Sequence, residues 1–144
     1  NEQNVEKEIR KLYVAQRVSQ VAAIKAVRVE MVKQQQEMGK EKGVVMDGRD
    51  IASVVFPDAE LKVFMTAKTA VRAKRRQVEL AEKGESVAIG EITKNLEERD
   101  HIDSTRAESP LFKVQDAIEI DTSDLTFEEQ VEKVLNLAGQ RISD

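Results

Sequence analysis

The chain contains no cysteine, no tryptophan and one histidine, and aromatic residues make up only 3% of its 144 residues. The absence of cysteine excludes disulfides, thiolate metal sites and cysteine nucleophiles, and it is compatible with the cytoplasmic location that we expect. A Ser-His-Asp triad would have to use His101, which we predict to be exposed. A histidine-rich metal site is excluded, and we assign no residue as a metal ligand. So few aromatic rings argue against a base-stacking platform for single-stranded nucleic acid.

The chain also lacks long apolar runs and a strong excess of one charge. Its apolar runs, such as residues 21–24 and 44–46, are far shorter than the roughly 20 residues that cross a bilayer, so we expect no membrane partner. With 23 basic and 27 acidic residues, the net charge of -4 does not indicate a nucleic-acid-coating protein. The first ten residues are polar and begin without methionine, which we interpret as neither a signal peptide nor a translation start.

The length suits one domain, and the patterning alternates helices and strands. Apolar residues at helical spacing predict helices near residues 14–22, 27–35, 69–83, 89–96 and 125–137. Compact apolar runs predict strands at residues 44–46, 61–66 and 117–122. Gly84 is expected to end a helix, and Thr126 with Glu129 has the spacing of a capping box. The alternation predicts a parallel sheet with covering helices.

The segment at residues 43–55 joins a short apolar run to a turn that carries Asp47, Arg49 and Asp50. Charges that follow a strand are presented at the ligand crevice of an open α/β sheet, so this turn indicates a site. Asp47 could orient a metal or another cation, and Arg49 could bind a phosphate through its planar fork. The alternative is a surface turn whose charges are only solvated, and the segment read alone favours that alternative.

Arginines recur after the second predicted strand and in the later charged segment. Arg75 lies within RAKRR at residues 72–76, while Arg99 and Arg106 are seven positions apart, which is two turns of a continuous helix. Converging guanidiniums suit phosphate, because each planar fork matches two phosphate oxygens. The alternatives are a basic helix exterior for residues 72–76 and a surface salt bridge between Arg99 and Asp103, four residues later. Spacing alone favours these alternatives.

Five segments together resemble the bacterial cytidylate kinases. The resemblance extends from about Val5 to Leu137, and the spacing of the motifs agrees throughout. Ala52 and Ser53 stand where the family commonly has glycine and threonine. The family's GxxxxGK[ST] phosphate loop does not occur in these residues, since GKEKG at 39–43 lacks both the spacing and the hydroxyl. The five segments are GVVMDGRDI at 43–51, FPDAELKVFMTA at 56–67, RAKRR at 72–76, ERDHIDSTR at 98–106 and SPL at 109–111.

The resemblance implies an α/β fold, a P-loop kinase-like parallel sheet with covering helices. This sheet would be incomplete, because the first strand and the phosphate loop are absent from this sequence. Residues 1–42 would form part of the nucleoside-monophosphate-binding region, residues 43–83 and 107–144 the core domain, and residues 84–106 a helical lid.

The resemblance also implies a role for each site residue. The base would contact Ser19, Arg28 and Asp50, since Asp accepts from the exocyclic amine of cytosine and Arg or Ser donates to its carbonyl. The monophosphate would be held by Arg49 and Arg106, and the sugar by Arg99 and Asp103. Arg75 would approach the ATP phosphates, and Asp47 would support the magnesium-phosphate region. The implied catalytic residues are therefore Asp47, Arg49, Arg75 and Arg106.

The implied activity is transfer of the γ-phosphoryl group of ATP to CMP or dCMP, with Mg²⁺ bound to ATP. The partners would be ATP and CMP or dCMP, and we expect a monomer. The alternative is a non-catalytic nucleotide-binding or interaction fragment, which the missing phosphate loop would leave inactive.

Overall fold

The computed structural model describes residues 4–142, apart from the side chain of Leu12, and it combines helices with a small sheet. Within these residues no helix is long and apolar enough to cross a membrane. The elements follow in the order α1 Glu6–Ile9, α2 Leu12–Ala22, α3 Lys25–Met38, a π-helical turn at Ile51–Val55, β1 Val63–Thr66, α4 Thr69–Glu82, α5 Ile89–Thr105, β2 Ile118–Asp121 and α6 Phe127–Ile142.

The two strands pair in parallel, which confirms the predicted fold class. Val63 of β1 lies opposite Ile118 of β2, and the register continues to Thr66 opposite Asp121. The chain between the strands forms α4 and α5, so the connection is the helical crossover that parallel strands require. Beyond β2, the backbone amide and the hydroxyl of Thr122 both donate to the Thr66 carbonyl, at 2.8 and 3.0 Å. The carboxyl ends of the two strands are thereby held together.

α4 and α5 form a hairpin around an apolar cluster. Ala73 and Leu80 of α4 and Ile92 of α5 are buried, with Val87 and Leu96 packed against them. These positions recur at helical spacing on each element, which is why both helices were predictable from apolar periodicity. Burial of a Leu or Ile side chain contributes about 1.5–3 kcal/mol, so the cluster anchors α5 on α4.

The turn between α4 and α5 has the geometry predicted from Gly84. Its φ of +80° lies in the left-handed region, its amide donates to the Ala81 carbonyl, and the amide of Glu85 donates to the Leu80 carbonyl, both at 2.9 Å. This pair of bonds is a Schellman motif, which satisfies two of the last carbonyls of α4. A side chain at position 84 would strain this turn.

α6 begins with the predicted capping box. The Thr126 amide donates to the Glu129 carboxylate at 2.7 Å, and the Glu129 amide donates to the Thr126 hydroxyl at 3.2 Å. Two amides at the helix start are thereby satisfied. The helices predicted near residues 14–22, 27–35, 69–83 and 89–96 are also confirmed, as α2 to α5, and α5 continues through the charged segment to Thr105.

The strand predicted at residues 44–46 is wrong. These residues have irregular backbone, and Val45 is fully exposed. A strand requires backbone hydrogen bonds to a neighbour, and the sheet within residues 4–142 consists of β1 and β2 alone, so no strand lies beside this run. The apolar composition of residues 44–46 therefore misled the prediction, because composition does not report whether a neighbouring strand is present.

α3 is docked on the π turn. A Cβ atom at Gly39, just after α3, would lie 2.4 Å from Cζ of Phe56, so glycine permits this ring to cover the helix end. From the last turns of α3, the side-chain amide of Gln36 donates to the carbonyls of Val54 and Val55, at 3.4 and 3.3 Å. α3 therefore lies directly against the turn that follows Asp50.

Candidate functional site

Asp50 immediately precedes the π turn, as its N-cap residue. The Asp50 carbonyl accepts from the amides of Val54 and Val55, at 2.9 and 3.2 Å, and this widened turn is a geometry common at functional sites. The Asp50 residue is 2% exposed, and its Oδ2 lies 3.2 Å from Nε of Arg28 in α3. The alternative of a merely solvated turn is therefore wrong for Asp50, because α3 brings a guanidinium to its carboxylate.

A second cluster places one carboxylate between two guanidiniums. Asp103 Oδ2 lies 3.1 Å from Nε of Arg49, and Asp103 Oδ1 lies 3.5 Å from Nη1 of Arg106. Asp103 and Arg106 are buried, whereas 38% of the Arg49 side chain is exposed. Two positive charges and one negative charge leave the cluster with an excess positive charge, which favours an anion beside it.

Arg106 reaches this cluster from beyond the end of α5. Its backbone is extended, with ψ of 146°, so the two-turn spacing from Arg99 is not that of a continuous helix. The chain turns back through Ser109, whose carbonyl accepts from Arg106 Nε at 2.8 Å and whose φ is +51°. The amide of Leu111 then donates to the Asp103 carbonyl at 2.7 Å. This turn fixes the Arg106 guanidinium beside Asp103.

Arg99 is not the surface ion-pair partner of Asp103 that its spacing suggested. Asp103 makes its ion pairs with Arg49 and Arg106 instead, and Arg99 Nε is buried without a hydrogen bond. Burial lowers the pKa of Arg99, and the positive charge of Arg49 lowers it further, while Asp103 acts in the opposite direction. Arg99 also lines a cavity of about 320 Å³ between the N-terminal helices and the α4–α5 hairpin. A half-buried cation in these surroundings would be stabilised by a negatively charged ligand.

Four buried side-chain atoms between residues 4 and 142 lack a hydrogen-bond partner, and all belong to residues predicted to bind substrate. Arg28 Nε and Asp50 Oδ2 form an ion pair with each other but without hydrogen-bond geometry. Unsatisfied buried polar atoms are rare in native proteins, and those near charged groups are the costliest. Three of the four atoms lie in the two ion-pair clusters, and Arg99 lies close enough to Arg49 and Asp103 for their charges to shift its pKa. The four atoms together indicate a place where a ligand supplies the missing partners. The four atoms are Arg28 Nε, Asp50 Oδ2, Arg99 Nε and Arg106 Nη2.

Arg75 lies apart from these ion pairs, at the carboxyl edge of the sheet. Its guanidinium donates to the Thr122 hydroxyl at 3.1 Å, to the Thr122 carbonyl at 2.5 Å and to the Leu125 carbonyl at 3.2 Å. It thus points from α4 to the loop after β2. Ligands of open α/β sheets bind at this edge, so the position suits the phosphate role implied for Arg75.

Two further predicted site residues, Ser19 and Asp47, form no ion pair with either cluster. Ser19 is buried in α2. Asp47 is exposed and makes no hydrogen bond or ion pair with the residues that the structure describes. His101 is exposed, as predicted. In the same part of the chain, no group of three or more His, Asp or Glu residues is placed to hold a metal ion.

Sequence reasoning missed several residues that support the site. Gln35 accepts from Arg28 Nη2 at 3.2 Å, and Asp100 binds Arg72 through two hydrogen bonds, at 2.5 and 3.0 Å, that join α5 to α4. The hydrogen bond to Asp100 raises the pKa of Arg72, although burial opposes it. The seven-residue spacing of Arg28 and Gln35, two turns on one helix face, was a usable signal. Arg72 and Asp100 are distant in sequence and gave none.

A comparison with known protein families identifies the family of this chain. The family model described as cytidylate kinase matches residues 1–140. The chain belongs to the cytidylate kinase family. Family membership is consistent with the parallel sheet and its helical crossover.

Curated cytidylate kinases match most of the chain. The one from Flavobacterium psychrophilum is 58% identical over 139 residues, covering 96% of this chain and 62% of the relative. The one from Cytophaga hutchinsonii is 57% identical over 135 residues, 94% of this chain and 58% of the relative. The one from Bacteroides thetaiotaomicron is 49% identical over 141 residues, 98% of this chain and 62% of the relative. The chain thus spans about three fifths of the length of these relatives.

Proposed function

We propose that the complete protein transfers the γ-phosphoryl group of ATP to CMP or dCMP, giving ADP and CDP or dCDP. An oxygen of the CMP phosphate attacks the γ-phosphorus, and the bond to the β-phosphate oxygen breaks. The observation that carries the proposal is the grouping of all four unpartnered buried polar atoms in Arg28, Asp50, Arg99 and Arg106. Family membership supports the same reaction.

The monophosphate would bind to the guanidiniums of Arg49 and Arg106. Both approach one carboxylate, Asp103, which holds them a fixed distance from each other while leaving their remaining donors for phosphate oxygens. Arg106 Nη2 is such a donor, since it is buried and unpartnered. Phosphoryl transfer depends mainly on positioning and charge neutralisation, which preorganised arginines supply without proton chemistry. Arg99 would contribute through its unpartnered Nε, beside the sugar together with Asp103.

The base would lie against the Arg28–Asp50 pair. A carboxylate that accepts from the exocyclic amine, and a guanidinium that donates to the ring carbonyl, together match cytosine and mismatch uracil. Asp50 Oδ2 and Arg28 Nε are the two buried atoms of this pair that lack hydrogen bonds. Ser19, buried in the neighbouring helix α2, would add a second donor. One protein group that accepts a hydrogen bond, Asp50, and two that donate, Arg28 and Ser19, match the base of CMP better than the bases of other nucleoside monophosphates.

ATP would approach the carboxyl edge of the sheet, where Arg75 lies, and Mg²⁺ would arrive bound to its phosphates. Mg²⁺ is commonly held by one or two carboxylates and substrate phosphates, so a single residue such as Asp47 suits it better than a protein cage. When bound, Mg²⁺ supplies neutralisation of phosphate charge. The residues of this chain would bind and orient the phosphates.

The domain partition belongs to the same proposal. Residues 1–42 form part of the monophosphate-binding region, residues 43–83 and 107–144 the core, and residues 84–106 a lid whose closure brings Arg99 and Arg106 over the substrate and excludes water. We also propose that the protein acts as a monomer in the cytoplasm.

The test is turnover of CMP by protein prepared from its complete coding sequence, compared with UMP and AMP at equal concentration. We expect CMP to be phosphorylated at least tenfold faster than either competitor, because only cytosine pairs with both Arg28 and Asp50. Equal turnover of the three substrates would refute the cytosine assignment. Intact mass identifies the sample: the 144 residues alone weigh 16.2 kDa, and a species of that mass that binds nucleotide without turnover would support the fragment alternative.

A further inference from the structure

The guanidinium of Arg28 has two protein partners on different elements. Its Nη2 donates to Oε1 of Gln35, two helical turns later in α3, at 3.2 Å, and its Nε lies 3.2 Å from Asp50 Oδ2 at the start of the π turn. Only 11% of the Arg28 side chain is exposed, and Gln35 is half-buried. Within residues 4–142, Nη1 has no hydrogen-bond partner. The side chain is thus held from both sides while one terminal nitrogen stays free for a ligand.

We propose that Gln35 is a positioning residue for pyrimidine recognition: it orients the Arg28 guanidinium so that Arg28 and Asp50 meet the edge of the base together. The inference rests on the proposed function and deepens it. Gln35 itself does not touch the base. It acts through Arg28.

Gln35 would assist binding by fixing the orientation of the Arg28 guanidinium before the ligand binds. An arginine side chain loses about 2 kcal/mol of rotamer freedom when it is fixed, and a ligand would bear that cost if the free protein left Arg28 mobile. The Gln35 amide oxygen accepts one hydrogen bond from Nη2, which leaves Nε beside Asp50. The free protein therefore keeps the ion pair and the orientation at once.

The docking of α3 on the π turn fixes the position of Arg28 relative to Asp50. Gln36, the next residue, donates to the carbonyls that end the π turn, and the Phe56 ring covers Gly39. The α3 face that carries Arg28 and Gln35 is therefore fixed relative to Asp50. A change at Gln35 alters one hydrogen bond to Arg28 without touching this docking.

The test compares Gln35→Met, which removes the acceptor at similar size and helix propensity, with Gln35→Glu, which keeps an acceptor. We expect Gln35→Met to raise KM for CMP about tenfold and to narrow the preference for CMP over UMP, with kcat and KM for ATP within twofold of the wild type. Gln35→Glu is expected to keep KM for CMP within threefold. The control is Gln34→Met on the exposed side of α3, whose amide binds Glu30, and which should change nothing.

Three results would overturn the inference: an unchanged KM for CMP in Gln35→Met, equal impairment of the Met and Glu variants, or a parallel loss of kcat and ATP affinity with a lowered melting temperature. If the wild type does not phosphorylate CMP, the proposed function fails separately. NMR relaxation of the Arg28 Nε–Hε group then decides the positioning claim alone. It should be rigid in the wild type and mobile in Gln35→Met, and equal mobility would contradict it.

Discussion

α5 has two halves that are buried for different reasons. Its first half packs Ile92 and Leu96 onto Ala73 and Leu80 of α4. Near its end, Asp103 is as deeply buried, but its neighbours are the guanidiniums of Arg49 and Arg106. The same helix therefore carries an apolar contact on one turn and an ionic cluster three turns later.

The two halves differ in what burial costs. Removing apolar surface from water is favourable by itself, whereas a buried ion pair repays its desolvation only with complete hydrogen bonding. The ionic half is incomplete, since Arg99 Nε and Arg106 Nη2 lack partners. We infer that the apolar half holds α5 in place, and that the ionic half is retained for binding an anion. Variants of the two halves should therefore affect activity and stability differently.

The largest effect is expected from Arg106→Ala, just beyond the ionic half of α5. Loss of one preorganised charged donor should lower kcat/KM for CMP by about 10²–10³-fold. The free energy of unfolding should change little, because Asp103 keeps its ion pair with Arg49 and an unsatisfied buried nitrogen is removed. Steady-state kinetics and urea unfolding on the same samples measure both quantities.

The matched control is Lys94→Ala, an exposed cation in the apolar half of the same helix. It should leave kcat/KM within twofold. A fall of similar size in both variants would mean that general charge on α5, and not the Arg106 guanidinium, determines activity.

Leu80→Ala should lower the free energy of unfolding and leave CMP binding unchanged, which is the opposite of the effect expected for Arg106→Ala. Leu80 is 1% exposed in the α4–α5 cluster, and its truncation leaves a cavity that should destabilise the protein by about 3 kcal/mol. The folded fraction should retain its KM for CMP. Val78→Ala, on the exposed side of α4, serves as the control and should cost far less. A loss of CMP affinity in Leu80→Ala below its melting temperature would mean that the two halves are coupled.

The apolar elements were the predictable part of this protein. Residues at helical spacing identified α4 and α5, Gly84 identified the turn between them, and Thr126 with Glu129 identified the start of α6. Each of these signals acts within a few residues of chain. The run at residues 44–46 failed because a strand depends on a distant partner, which composition does not report.

The site was predictable only in part. Spacing suggested that Arg99 pairs with Asp103, but Asp103 forms an ion pair with Arg49, which lies in a distant segment of the chain. The extended backbone at Arg106 and the turn through Ser109 likewise depend on long-range folding. The family resemblance named the residues, while the contacts that hold them, such as the one between Arg28 and Gln35, came from the structure.

The smallest effect is expected from a surface ion pair on α4, the helix against which the apolar half of α5 packs. Hydrogen bonds from Lys83 and then Arg76 lower the pKa of Glu79 on α4. A carboxylate whose pKa is lower in the folded state stabilises the protein above its unfolded pKa, and this contribution is lost as pH falls through the folded value. Glu79→Gln should therefore cost a few tenths of a kcal/mol at pH 7 and nothing at acid pH below that value. Thermal unfolding across the pH range measures it, with Glu82→Gln, which lacks an ion pair among the residues described, as the control. A cost independent of pH would show that Glu79 stabilises the protein through packing and not through its charge.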